Sequence, residues 1–236
     1  MNRYQRFLHR LFIAVIIFII PEMKIHSQNF SGRLILGING SQIDGDGMSG
    51  YYKPGLVSGL GVRFPISEKI SIGPEIMYSM KGSKASFEQV TELGFPRIIY
   101  RLNYIDLPFV ADYRISGGIL AEAGLSYGRL LNAKLDNGTN FGFVDRNEWF
   151  NKSDFQVLFG LKYEIFDNIW LSGRFMYSVV STNAMGLQEV NFGLVGLPSR
   201  GGFFNNLLQF TLSAHLFGSP PEKGVPKKEP QPLPKM

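Results

Sequence analysis

Few side chains in this sequence are equipped for covalent chemistry. There is no cysteine, which excludes a thiol nucleophile, a thiolate metal site and a disulfide framework. Of the three histidines, His9 and His26 belong to the N-terminal segment, leaving His215. Ser213 stands two residues away, on the same face of an extended segment, and acids on neighbouring segments could complete a Ser–His–acid relay. A hydrogen-bonding role inside the fold explains the same pair more simply, and no catalysis is expected. Asp44 and Asp46, in SQIDGDGMSG, are spaced as in calcium loops, but the further oxygen ligands and the closing Glu are missing. A solvated loop is expected there, and neither a metal nor a cofactor anywhere.

The stronger signal is a set of ionisable residues at alternate positions of otherwise apolar runs. The acids are Glu75, Asp106, Asp112, Glu122 and Glu164, and the bases are Arg33, Arg63, Arg114, Lys162 and Arg174. Strands send successive side chains to opposite faces, so these residues share one face while the apolar residues share the other. Matched numbers of acids and bases suit a narrow interior in which buried charges pair. An ion or proton path is the alternative use of the same set.

Strands must position this set. The region Ile98–Leu131 reads as two alternating runs around Ser116-Gly117-Gly118, the signature of a hairpin. In the second run Ile119, Ala121, Ala123, Leu125 and Tyr127 oppose Glu122, Gly124, Ser126 and Gly128. Further strands are predicted over Phe30–Asn39, Gly55–Ile66, Ile70–Met80, Asp154–Phe166, Ile169–Val180 and Leu207–Phe217. Pro74 and Pro108 each remove a ladder donor, so bulges are expected at both. The gaps alternate between long and short. Long ones cover Gly40–Pro54, Lys81–Arg97, Asn132–Ser153 and Ser181–Asn206; short ones cover Ser67–Lys69, Ser116–Gly118 and Asp167–Asn168. Loops segregated by length, with an even strand count, predict an all-β, eight-stranded antiparallel up-and-down transmembrane β-barrel.

The remaining segments fit an exported chain. Arg3, Arg6 and Arg10 precede the apolar run Leu11–Ile20, and Ser27 offers a small residue at a cleavage point. This is the layout of a signal peptide over residues 1–27, and its apolar run falls short of the ~20 residues a spanning helix needs. Without cysteine, lipid attachment is excluded. The formal charge is +5, but the first 27 residues carry three of it, so the rest is too weakly basic to argue for nucleic acid. The barrel is expected over 28–217, and the Pro/Lys-rich residues 218–236 as a disordered periplasmic tail, open to a periplasmic protein or cell-wall partner.

Alternation alone leaves open a soluble, lipocalin-like barrel with the apolar face inside. Aromatic residues favour the inverse arrangement. Tyr78, Tyr127 and Tyr177 are predicted at one rim of the apolar face and Phe64, Tyr113 and Tyr163 at the other, as in membrane-interface girdles. An eight-stranded barrel is just filled by its own side chains, so no open pore is expected.

The segments RLNYIDLPFVADYRI, GILAEAGLSYGRLL and FQVLFGLKYEIFDNIWLSGRFMYS resemble consecutive strands of the PorT-like outer-membrane β-barrel proteins of the Bacteroidota, themselves OmpA/OmpX-like eight-stranded barrels. The resemblance covers most of Phe30–Phe217, and Phe217 occupies the place of the strand-terminal aromatic, with 19 residues beyond it. It implies a bacterial outer-membrane location among lipid and lipopolysaccharide, with a structural or interaction role as a monomer. The alternatives are a narrow channel for small solutes or an accessory part in protein secretion or assembly. Within the last long loop, Val195, Leu197, Phe203 and Phe204 are expected to fold over the barrel mouth or to contact a partner.

Overall fold

The computed structural model describes residues 30–94, 96–138, 141–184 and 202–218. The predicted signal peptide, all of the tail beyond Gly218, and Val195 and Leu197 lie outside them. Within them run β1 (Ser31–Asp44), β2 (Lys53–Pro65), β3 (Ile70–Lys84), α1 (Phe87–Thr91), β4 (Ile99–Ser116) and β5 (Ile119–Asp136). There follow the two-residue β6 (Val144–Asp145), a 3-10 turn (Asn147–Trp149), β7 (Ser153–Phe166), β8 (Ile169–Ser178) and β9 (Phe204–Gly218). The long strands form one sheet in the order β4-β3-β2-β1-β9-β8-β7-β5, every pair antiparallel, and β5 pairs back onto β4. The chain is therefore a closed eight-stranded antiparallel barrel, with β6 appended to β5.

Closure follows from local chemistry at the short-turn end. Gly117 and Gly118 both take positive φ, 54° and 84°, the backbone of a two-residue turn whose twist matches the strands it joins. At the other end the strands run on. β4 and β5 are 18 residues each, about twice the ~9–11 that a membrane crossing needs, so they rise as a wall beyond it. Much of what reads as loop between Met80 and Ile98, or between Leu131 and Ser153, is thus strand, together with α1. A capping box starts α1: the Ser86 hydroxyl accepts from the Gln89 N–H, and the Gln89 side chain accepts from the Ser86 N–H.

The bulges expected at the prolines are absent. Register is the same on either side of both: Gly61 faces Glu75 and Phe64 faces Ile72, while Pro74 faces Phe109 and Met77 faces Asp106. Instead, pairing lapses for two residues, at Gly73–Pro74 against β2 and at Leu107–Pro108 against β3. The Arg63 guanidinium donates to the Val62 and Gly73 carbonyls at the first gap, at 3.1 and 3.4 Å. A lumen side chain thereby takes over acceptors that the proline cannot serve. Register shifts occur elsewhere, one of them between Asn103 and Tyr104. There Leu131 is the extra residue, so Ala133 and Leu135 point inward despite their odd numbers.

The barrel is turned inside out relative to a soluble protein. Leu125 is 67% and Leu56 63% exposed on the outer face, whereas Lys81 and Asp106 are fully buried. Tyr78, Tyr127 and Tyr177 lie at one edge of the outer apolar band, and Phe64, Tyr113 and Tyr163 at the other. A band of Leu, Ile and Phe facing outward around buried charges has one compatible solvent, the hydrocarbon of a bilayer.

Candidate functional site

The lumen is the chemically richest part of the molecule, and inward positions of every long strand line it. In the half nearer the short turns, Arg174 of β8 forks onto two glutamates. Its Nη1 and Nη2 donate to Glu75 at 2.6 and 2.8 Å, and its Nε and Nη2 donate to Glu122 at 3.0 and 2.9 Å. Arg63 pairs with Glu75 and donates from Nε to Asp112 at 3.0 Å. Lys162 lies 2.5 Å from Glu122 and 3.3 Å from Asp112, and the Ser172 hydroxyl donates to Glu122. Arg33 approaches Asp112 at 3.7 Å and stacks on Trp170, 4.5 Å from the ring centre.

A layer of Met77, Val110, Leu158, Met176 and Leu207, beside Ile35 and Val57, separates this cluster from a second one. There Lys81 lies 2.9 Å from Asp106 and 3.5 Å from Asp154, and donates to the Gln156 side-chain Oε1 at 2.9 Å. Asp154 also accepts from the Ser178 hydroxyl at 2.6 Å and the Asn205 amide at 2.9 Å. Gly128 makes this possible, because a Cβ there would stand 2.6 Å from an Asp106 oxygen. Above it, Ile43, Leu102, Tyr104, Leu130, Ala133, Phe150 and Phe203 close the mouth. Beside the lower cluster a void of about 10 Å³, lined by Arg33, Ile35, Gly61, Thr211 and Ser213 among others, has room for one water molecule.

Arg33, Arg63, Glu75, Asp106, Asp112, Glu122, Lys162 and Arg174 thus meet as buried ion pairs, in two groups. Arg114 and Glu164 do not. Both face inward at the short-turn end, half-buried, and neither forms an ion pair among the described residues, because the barrel opens to water there. Lys81 and Asp154 take their places, which restores five cations against five acids. Parity would have found both: Lys81 continues the inward series Glu75, Met77, Ser79, and Asp154 begins the series Gln156, Leu158, Gly160, Lys162.

Phe203 is buried against Phe150, its ring centre 6.0 Å away, so it plugs the mouth and offers no contact surface. Phe204 turns outward and stacks on Tyr177 at 6.2 Å. No relay forms between Ser213 and His215, since Ser213 Oγ and His215 Nε2 lack hydrogen-bond partners. Asp44 and Asp46 diverge: Asp44 accepts from Gln42 and Asn206, while Asp46 accepts from the Met48 N–H at 2.8 Å. Burial pushes the Asp46 carboxyl up to about 7.

Outward apolar faces, girdled rims and an interior packed with paired charge define a transmembrane β-barrel. Residues 26–183 match the outer membrane protein beta-barrel domain family, and the chain belongs to that family, whose members lie in the bacterial outer membrane. No curated protein matches the chain. Among solved structures, Neisserial surface protein A is similar at 12% identity and a TM-score of 0.48, covering 80% of this chain and 97% of that one. Ail of Yersinia pestis is similar at 13% and 0.45, covering 80% and 99%. CarO of Acinetobacter baumannii is similar at 10% and 0.43, covering 79% and 97%.

Proposed function

We propose that the protein is a non-conducting barrel that anchors interaction loops at the outer surface. The filled lumen carries this reading. Two ion clusters, an apolar layer between them and an aromatic plug above succeed one another along the barrel axis. A permeating solute would have to break buried ion pairs, each of which loses several kcal/mol when one partner is left alone (about 3–5 kcal/mol). The loops offer contact surface instead: Phe87 at the start of α1 is 84% exposed and Phe141 is 87% exposed. Exposed aromatics, one of them on α1, favour recognition of a partner over solvation.

Reconstitution of the full chain in a planar bilayer tests the reading. Silence under applied voltage is expected. Stepwise conductance would replace it with the small-solute channel. Removal of the mouth plug by Phe150→Ala with Phe203→Ala should leave the membrane silent as well, because both ion clusters remain.

A further inference from the structure

Besides Arg114 and Glu164 at the short-turn end, four cations without an ion pair among the described residues stand together on one wall near the long loops. Outward positions at the top of β3, β4 and β5 carry Lys84, Arg101, Arg129 and Lys134. Arg129 follows the rim residue Tyr127 by one outward position, and faces Ile105, the outward residue of β4 just below Asn103. Directly above, Asn103 and Asn132 face each other, the Asn103 amide donating to the Asn132 carbonyl at 2.9 Å. Above them Arg101 and Lys134 are direct cross-strand partners, and Lys84 stands on the next strand. Like charges directly opposite in a ladder are destabilising. Asp145 of β6 faces Lys134 and Asp136 lies higher on β5, yet none of the four cations forms an ion pair among the described residues. Arg101 instead rests on Phe143, 4.1 Å from the ring centre, with its buried Nε unpartnered. The top of the opposite wall differs: Gln42, Asp44 and Asn206 hydrogen-bond to one another and carry one negative charge.

We propose that this wall binds a phosphorylated glycolipid of the outer leaflet. The argument is one of position and complementarity. The cations begin where the apolar band ends, the level at which a lipid whose acyl chains lie along Ile76, Ile105 and Leu125 places its phosphates. The Asn103–Asn132 pair, at the same level, offers amides to a sugar or an acyl-amide linkage. A bound phosphate between Arg101 and Lys134 turns their repulsion into a charge-assisted bridge. The inference does not depend on whether the lumen conducts.

The test uses the full chain in phosphatidylcholine nanodiscs doped with lipid A, repurified in detergent, with retained lipid A counted by mass spectrometry. Folding is checked by heat-modifiable gel mobility. Arg101→Gln with Lys134→Gln should retain about tenfold less lipid A than wild type, from the interfacial attraction lost with two cations. Asp44→Asn, on the opposite wall, should retain as much as wild type, and dephosphorylated lipid A should not be retained. If the double variant does not fold, Arg129→Gln alone is read, with a severalfold loss expected. Equal retention by the cation variants overturns the proposal. So does equal retention of the dephosphorylated lipid, or release by excess inorganic phosphate, which would mark a site for the free ion.

Discussion

The two ion clusters of the lumen meet the same problem, charge taken out of water, with different degrees of redundancy. In the lower cluster every acid touches at least two cations: Glu75 touches Arg63 and Arg174, Glu122 touches Lys162 and Arg174, and Asp112 touches Arg33, Arg63 and Lys162. In the upper cluster one cation, Lys81, serves both Asp106 and Asp154, and neutral donors from Ser178 and Asn205 supply the rest for Asp154. A cluster with spare partners can lose one member and rearrange. One built on a single cation cannot.

Loss of Lys81 is therefore expected to have the largest effect. Lys81→Met fills similar volume but leaves two carboxylates without a cation, and should destabilise the barrel by about 3–5 kcal/mol. Urea titration of folding into lipid vesicles measures it. Arg174→Met should cost less, about 2–3 kcal/mol, since Glu75 keeps Arg63 and Glu122 keeps Lys162. If Arg174→Met proves the more damaging of the two, redundancy does not protect the lower cluster.

Asp46 extends the series to an acid that pairs with no cation among the described residues. It is buried in the first long loop, and its carboxyl is pushed up to about 7. Its charged form is thus disfavoured by the ordered loop. Stabilisation of that order is complete below about pH 4, declines as pH rises, and is gone above about pH 7. Asp46→Asn keeps the acceptor for the Met48 N–H and should flatten this dependence, gaining roughly 1–3 kcal/mol of local order at pH 8. Hydrogen exchange across residues 44–52 between pH 5 and 9 checks it. A wild-type loop that tightens with rising pH would contradict the sign.

The contrast between the clusters also shows what the sequence can reveal. Faces were legible because strand periodicity is two, and a one-residue error reverses every side chain. Hence eight of the ten expected lumen charges stand in the network. The two exceptions, Arg114 and Glu164, have the right parity but the wrong depth, and depth along a strand leaves no mark in alternation. Lys81 was missed for a related reason, because strand continuation into the predicted loop is signalled only by parity, across Gly82. The prolines were over-read: a missing donor was expected to force a bulge, but both strands keep register, and at Pro74 the Arg63 guanidinium reaches the orphaned carbonyls from the lumen. The α1 turn was within reach, since Ser86 and Gln89 carry the capping-box spacing.

Arg114 and Glu164 supply the smallest expected effect and the control on depth. They point the same way as Asp112 and Lys162, one inward position further toward the short turns. If parity alone made a lumen charge structural, Arg114→Gln and Glu164→Gln would each cost as much as a buried partner. Half-exposed and outside any ion pair among the described residues, each should instead change folding free energy by about 0.5 kcal/mol or less, a value typical of exposed charges. The same urea titration resolves the two outcomes. A loss above about 2 kcal/mol for either variant would mean that the ion network continues to the end of the barrel, and that water does not reach as far as the lower cluster's last layer.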